Sequence, residues 1–365
     1  MALIDNAIYV DGRPVATPST LDEAFEAMKA HQGFAWIGLY RPSETEVRRV
    51  ANEFSLHHLA VEDTLAGHQR AKIERYSDTL FIVLRPARYI DAEEQVEFGE
   101  LHIFVGPDFV VTIRHAESPD LARVRHRMEE NPHLLALGPE AVLYAILDQV
   151  VDEYAPVVAG IENDIDEIED QLFDGDPEVS RRIYALSREV IEFQRATQPL
   201  VPMFESLQRG FDKYHVDLEL HRHLRDVLDH SLRVVERADA FRQLLQNALT
   251  TQSTLVAQSQ NDEMRRLTET SLVQSEEVKK ISSWAAILSA PALVGTVYGM
   301  NFANMPELDW TYGYPLALGL MLALGFTLYR VFKKRNWLKP VPRPRGVYTA
   351  GRSHCSPIAL MNRAG

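Results

Sequence analysis

Apolar positions change their spacing along this chain, and each change predicts a different kind of element. In residues 6–115 they come in short runs: Phe34-Ala35-Trp36-Ile37-Gly38-Leu39-Tyr40, Thr79 to Leu84, Leu101 to Val105, and Phe109 to Ile113. These runs are rich in Val, Ile and Phe and are bounded by Gly, Pro and Asp, which predicts buried strands. Between the first two, Ser43 through Phe54 follows helical spacing, with Val47, Val50 and Ala51 apolar. The order predicts an α/β sandwich with partly antiparallel strands.

From Pro139 the spacing becomes helical and stays so. Ile161, Ile165, Ile168 and Leu172 form a stripe, with Glu162, Asp164, Asp166, Glu167, Glu169 and Asp170 between them as a solvated acidic face. Phe173-Asp174-Gly175 predicts a stop. Asp176 then caps a helix with Pro177 in its first turn, reaching about Gln208 with a break at Gly210. A third helix starts near Asp217 and meets no breaker before Pro291. Val227, Val234, Phe241, Ala248 and Leu255 recur every seven residues, with Ala238 and Leu245 between them. A repeat of this length asks for partner helices and so predicts a coiled or bundled stalk. More than seventy helical residues would extend over about 100 Å. Gln260 to Thr268 is echoed by Gln274 to Ser282, an offset of two heptads that lengthens the stalk without changing its register.

Two charge-free stretches follow. One lies between Lys280 and Glu307, and the other runs from Trp310 to Tyr329. Each holds about the twenty apolar residues a helix needs to cross hydrocarbon. Lys279 and Lys280 precede the first, Arg330, Lys333, Lys334 and Arg335 follow the second, and the loop between carries Glu307 and Asp309. The positive-inside rule puts both termini in the cytoplasm and the loop outside. The first span holds Ser282, Ser283, Ser289, Pro291, Gly295 and Thr296, which suit helix contact or a water-lined path. Two helices cannot enclose a pore, so a channel would require an oligomer.

The predicted organisation is an α/β domain over 1–138, an acidic helical hairpin over 139–216, a stalk helix over 217–280, spans over 281–300 and 312–332, an outer loop over 301–311, and a basic tail over 333–365. The fold class is α+β with membrane α-helices.

Charge sharpens this reading. The chain has 365 residues, of which 25% are charged, so most of it must live in water. Residues 1–309 hold 29 Lys/Arg against 52 Asp/Glu, whereas residues 310–365 hold nine basic residues and no acidic one. An acidic body argues against nucleic acid, whose phosphates need basic surfaces, and suits attraction of cations. Cys355 is the only cysteine, which excludes an intrachain disulfide and a Cys-rich zinc site. Met-Ala-Leu-Ile-Asp at the start has no basic stretch leading into an apolar run, so no cleaved signal peptide is expected. Neither a nucleophile–base set nor a phosphate loop is visible, so an enzyme is not expected.

Tyr298-Gly299-Met300-Asn301-Phe302, followed by Met305-Pro306-Glu307-Leu308, resembles the loop of the CorA magnesium transporters. The triplet gains weight from its place, directly after a first span, before a second, and at the end of a heptad stalk. His58 to Leu65 with His68-Gln69-Arg70 resembles part of that family's soluble domain, and Arg225-Asp226-Val227-Leu228-Asp229-His230 resembles its stalk. The likeness covers about residues 30 to 338. It implies a homopentameric funnel in the cell (inner) membrane whose first span lines the pore and whose Gly299, Met300 and Asn301 form the outer mouth. It further implies Mg²⁺ as substrate and as regulatory ligand, with Asp63 of one subunit and Asp226 of the next as the sensor and Glu62 and Asp148 as a second site. Co²⁺ and Ni²⁺ are further expected substrates. Ile281 and Leu288 are gate candidates, and Ser289 falls where the family tends to place a bulky apolar gate.

Plainer roles exist for several of these residues. Asn301 can cap the first span, with Gly299 relieving the turn. Asp63 and Asp226 can be solvated charges or caps. His221, His223 and His230 suggest a zinc path or simply exposed stalk histidines. Asp174-Gly175-Asp176 lacks the rest of a calcium loop. The alternatives for the whole chain are a zinc carrier sharing the triplet, or a membrane-anchored coiled-coil scaffold that transports nothing. The Pro/Arg-rich tail from Pro340 is expected to be disordered.

Overall fold

The computed structural model describes residues 3–214, 216–300 and 310–339. Contacts divide the chain into two units, Met1–Leu255 and Val256–Gly365.

The first unit is built on a seven-stranded sheet. Its strands are β1 (Leu3–Val10), β2 (Arg13–Ala16), β3 (Phe34–Tyr40), β4 (Lys72–Tyr76), β5 (Thr79–Leu84), β8 (Leu101–Val105) and β9 (Phe109–Arg114). The spatial order is β2-β1-β3-β9-β8-β5-β4. Only β3 and β9 pair in parallel, and every other neighbouring pair is antiparallel. Between β5 and β8 the chain forms a separate hairpin of β6 (Ala87–Ile90) and β7 (Gln95–Phe98).

Alternation along the strands feeds two cores, because successive side chains leave opposite faces. Trp36, Ile82, Leu84, Leu101, Ile103, Val105 and Val110 enter one core, and Ala35, Ile37, Phe81, Val83, Phe104, Val111 and Ile113 enter the other. Burial on both faces explains why these strands read as unbroken apolar runs. The second core is covered by α1 (Leu21–His31), α2 (Glu44–Glu53) and α3 (His58–Ala66). Ser43 starts α2 with a capping box closed by Glu46.

The other face carries α4 (Leu121–Glu129), α5 (Pro132–Leu135), α6 (Pro139–Asp152), α7 (Tyr154–Asp174), α8 (Val179–Thr197) and α9 (Leu200–Tyr214). Gly175 ends α7 in the left-handed region at φ 76°, as Phe173-Asp174-Gly175 predicts. Asp176 accepts from the Glu178 amide at 2.9 Å, but α8 proper begins only at Val179, beyond Pro177. The next break differs from expectation: it falls at Gln198-Pro199, and α9 continues through Gly210. Pro199 lacks the amide needed to extend α8, whereas a glycine inside a helix costs only about 1 kcal/mol. The acidic face of α7 is also less solvated than expected. Asp164 is buried, accepting from the Tyr89 hydroxyl at 2.9 Å, and Glu162 pairs with Arg237 at 3.1 Å.

The final helix of this unit, α10, runs Leu218–Tyr298 and continues into the second unit. Leu220, Leu224, Val227, Ser231, Val234, Ala238, Phe241, Leu245 and Ala248 are all buried, in alternating steps of four and three. Their partners lie in the same chain. Gln194 of α8 donates to Asp239 at 2.6 Å, and the stripe shares one core with Ile161, Ile165, Val190 and Phe193. The heptad thus builds a bundle as predicted, and from Leu220 to Ala248 its partners come from the same chain. Beyond it Leu255, Val256, Met264, Leu267, Leu272 and Val278 are exposed.

The second unit holds the end of α10 and α11 (Gly313–Lys334). Both helices are long and apolar enough to cross a membrane. Only 6% of each apolar window is buried, whereas a soluble core helix is covered. The two helices approach each other at small residues. A Cβ on Gly295 would lie 3.5 Å from the Met321 methyl, and one on Gly325 would lie 3.7 Å from Pro291 Cγ and 3.9 Å from the Ile287 carbonyl oxygen.

Candidate cation sites and pore-lining helix

The sequence-predicted residues fall in three places. Asp63 and Glu62 sit on α3. Glu62 is exposed along the rim of a cleft between α2 and α3 that also takes Glu44, Arg48, Asn52 and His58. Asp63 is already occupied: its Oδ2 lies 2.5 Å from Lys72 Nζ, and the same ammonium reaches Glu74 at 3.0 Å. Burial opposes the charge on Lys72, but hydrogen bonds and attraction from the two carboxylates outweigh it and raise its pKa above the usual lysine value.

The C-terminal end of α3 is tied down from below. Glu100 accepts from the amides of His68 at 2.7 Å and Gln69 at 3.2 Å, and lies 3.0 Å from Nε2 of His102. That last contact is poorly aligned for a directed hydrogen bond. Burial works against the Glu100 carboxylate, yet His102 and the two amides prevail and hold its pKa down at about 2. The other ring nitrogen of His102 is 3.4 Å from the Thr64 hydroxyl, and Thr64 donates to the Ala60 carbonyl at 2.8 Å. His102, the second residue of β8, is fully buried.

Asp226 and Asp148 lie on the opposite side of the sheet, and α6 and α10 bring them into one neighbourhood. Asp226 is largely exposed, 3.8 Å from His230 Nε2, whose Nδ1 is 3.6 Å from Asp152. Asp148 pairs with Arg127 at 3.1 Å, and its carboxyl pKa is raised by burial and then by Asp152, against the pull of Arg127. Between them the Tyr144 hydroxyl is pushed up to about 12, first by burial and then by Asp148, with Asp226 and Asp152 adding to it. The three stalk histidines do not converge: His221 faces Asp212, His223 stacks on Tyr144, and His230 faces the two aspartates. Because Asp63 and Asp226 occupy opposite layers, one chain does not present both to a single ion.

Among the described residues, one carboxylate trio is close enough to share a metal: Glu94, Asp164 and Glu167. Arg182 fills it, at 2.9 Å, 3.4 Å and 2.6 Å from the three. Its guanidinium supplies the positive charge an ion would bring, so this trio is a structural tie between the β6–β7 hairpin and α7–α8.

On the helix that enters the second unit, Ile281 and Leu288 are 69% and 71% exposed. Seven residues apart, they share a face, and Ser289 is exposed beside Leu288. Gly299 keeps a helical bond to the Gly295 carbonyl at 3.0 Å, and Met300 follows with a bond to Val297 at 3.2 Å. Gly299 is not among the residues of positive φ, so it does not relieve a left-handed turn. Asn301, with the rest of the loop and Glu307, lies outside the described residues, as does the tail from residue 340.

Sequence reasoning missed Lys72, Glu100 and His102. A signal for the last existed: a histidine interrupts the otherwise apolar run Leu101-His102-Ile103-Phe104-Val105. A polar side chain in a strand covered on both faces needs buried partners.

Known proteins share this arrangement. The family described as CorA-like Mg²⁺ transporter protein matches residues 31–334. The chain is 32% identical over 309 residues to the putative metal ion transporter YfjQ of Bacillus subtilis (strain 168), covering 83% of this chain and 89% of that one. It is 28% identical over 306 residues to the cobalt/magnesium transport protein CorA of Thermotoga maritima, covering 83% of each. The complete structure of the CorA magnesium transporter from Methanocaldococcus jannaschii superposes with a TM-score of 0.54 at 18% identity, over 92% of this chain and 99% of that one. An α/β sheet domain, a helix of 81 residues whose end is one of two apolar spans, and a family match across most of the length agree on one conclusion: the chain belongs to the CorA-like Mg²⁺ transporter family.

Proposed function

We propose that this protein is a passive divalent-cation uptake channel, formed by five copies of the chain in the inner membrane with both termini cytoplasmic. Mg²⁺ is its main cargo, and Co²⁺ and Ni²⁺ also pass. One observation carries this reading. The single helix α10 bears Asp226 near its start and a barely covered apolar span at its end, so the acidic neighbourhood and the span belong to one continuous helix. Uncovered apolar spans need lipid around them, and two helices do not by themselves enclose a pore. Entry is downhill, since a divalent ion gains about 4.6 kcal/mol per 100 mV of inside-negative potential.

Mg²⁺ sheds its water reluctantly. A ring of Asn301 carboxamides, set by Gly299 and Met300, hydrogen-bonds that water shell without stripping it. Ile281 and Leu288 narrow the path below, with Ser289 beside them. Cytosolic Mg²⁺ closes the pore by bridging Asp63 of one copy and Asp226 of the next, with Glu62 and Asp148 as a second site. The carboxylate donors suit Mg²⁺, and the placement of Asp63 and Asp226 in opposite layers of one chain suits a site between copies.

Flux of Mg²⁺, Co²⁺, Ni²⁺ and Zn²⁺ into liposomes holding the purified protein tests the function. Mg²⁺ entry that Asn301→Ala weakens or makes unselective is expected. Preferential Zn²⁺ entry would mean a zinc carrier, and no flux at all a scaffold. For the sensor, Mg²⁺ protects the wild type from limited proteolysis, and equal protection of Asp226→Ala would remove the proposed site.

A further inference from the structure

We propose that the cavity between the β4–β5 side of the sheet and α9 is a binding site for a small organic ammonium, with Glu140 receiving the charged head and the apolar wall receiving the hydrocarbon body. The site uses none of the residues placed in the pore or the Mg²⁺ sensor, and it does not depend on the transport reading.

The cavity holds about 400 Å³. Pockets for small molecules run from roughly 300 to 1,000 Å³. Ile73 and Leu80 of the strands, Leu207 and Phe211 of α9, and Val216 just beyond it all belong to or pack on the main core, so the wall is that core laid open. One glycine keeps it open. Gly210 lies inside α9 and borders the cavity. Glycine weakens a helix interior, so its presence there asks for a reason. A crowding neighbour is the usual one, but among the described residues a Cβ on Gly210 would meet nothing within 4 Å. Gly106, on the turn between β8 and β9, also borders the cavity and gives the contrast: a Cβ there would strike the Phe109 ring. Packing accounts for Gly106. At Gly210 the missing side chain preserves the space itself.

The polar lining sets the sign of the ligand. Gly138 brings no capping side chain to α6, and the Glu140 carboxyl accepts from its own amide instead. Among the described residues it has no second hydrogen bond, and burial pushes its pKa up against that amide and the nearby Arg75 guanidinium. A carboxyl short of donors is satisfied by a proton or by an ammonium. Asp78 adds an exposed carboxylate at the rim. Arg75 is the one basic residue among the described lining, and its Nε already donates to the Ser77 carbonyl at 2.9 Å. Glu74 is matched by Lys72 at 3.0 Å. The balance is acidic, which disfavours an anion. A metal ion is disfavoured as well, because these carboxylates do not come close enough together to share one, and hydrocarbon walls cannot replace its water. An alkyl- or arylammonium suits both halves of the cavity. Its –NH₃⁺ donates to Glu140 in a charge-assisted bond, and its body lies against Leu207 and Phe211.

The probe is 2-phenylethylamine, an aliphatic amine protonated at about pH 7. Its counterparts of similar shape are 2-phenylethanol, which is neutral, and 3-phenylpropionate, which is anionic. Binding is read by saturation-transfer NMR on full-length protein in nanodiscs of zwitterionic lipid, with empty discs as the blank. The amine is expected to bind about tenfold more tightly than either counterpart, and Glu140→Gln should remove that preference without weakening the alcohol. Gly210→Leu should abolish binding of all three, because its side chain occupies the cavity. Thermal unfolding of that variant should stay at or above the wild type, since leucine favours a helix and its Cβ meets no neighbour. Saturating amine should slow hydrogen exchange of residues 206–211 in the wild type by about threefold. An amine that binds no better than its counterparts, or exchange there that stays unchanged, overturns the proposal. So does binding that survives Gly210→Leu, which would put the amine on the acidic surface at large. Should Gly210→Leu not fold, Glu140→Gln decides: a preference for the amine that persists in it overturns the proposal.

Discussion

Lys72 Nζ lies 2.5 Å from Asp63 Oδ2, so the carboxylate proposed to take Mg²⁺ is already held by a cation of its own chain. An incoming ion must displace that ammonium. Both side chains are more than a quarter exposed, which places the pair near the 1 kcal/mol end of surface ion pairs. Lys72→Met is therefore expected to lower the Mg²⁺ midpoint for proteolytic protection by about fivefold. A midpoint that rises or stays put would mean that Lys72 does not compete with the ion.

Glu100 sets an acid limit on the first unit. Its pKa is depressed from 4.5 to about 2, so its stabilising contribution is complete above the ordinary carboxylate value and is lost as pH falls from there toward 2. Glu100→Gln should cost about 1–3 kcal/mol near neutral pH, since two amides and His102 lose a charged partner. Between pH 4.5 and 3 the wild type should lose stability faster than the variant, narrowing the gap between them. Unfolding followed by tryptophan fluorescence over that range checks both statements.

Phe241 is 1% exposed in the heptad stripe of α10. Because the stripe packs within its own chain, Phe241→Ala should destabilise the unit by about 3–5 kcal/mol whatever the oligomeric state. Denaturant unfolding at several protein concentrations distinguishes this from an interface defect, whose size would depend on concentration.

A Cβ on Gly160 would come within 2.4 Å of the Tyr89 ring. Gly160→Ala should therefore push the β6–β7 hairpin off α7, strain the Tyr89–Asp164 bond, and cost about 1–3 kcal/mol. The penalty should shrink when Tyr89→Ala is made as well, and a double-mutant thermal-shift cycle measures that coupling.

The parts of the fold legible in sequence were those with one dominant physical cause. β3, β5, β8 and β9 show as apolar runs because both their faces are covered. β2 and β7 do not, since each has four residues and is largely exposed. The register of α10 was plain from its heptads, but the identity of its partners was not. A stripe states that something packs there, and only the turn at Gln198-Pro199 and the capping of α7 decide that α8 folds back to supply it. At the candidate sites, motif and spacing picked out Asp63 and Asp226 individually. They could not show that Lys72, nine positions on, returns to Asp63 through the β4 edge strand, or that Glu100 and His102 hold α3 from two strands away.

Pro291 carries no amide proton, so the Ile287 carbonyl four positions earlier has no donor within the helix, and Gly325 faces the same spot without a side chain. One backbone bond is therefore already missing at a single turn of the first span, and the second span leaves room beside it. Bending α10 there breaks no hydrogen bond that would otherwise form. The turn between Leu288, below the proline, and the Gly299-Met300 end above it is therefore where α10 bends at least cost in hydrogen bonds.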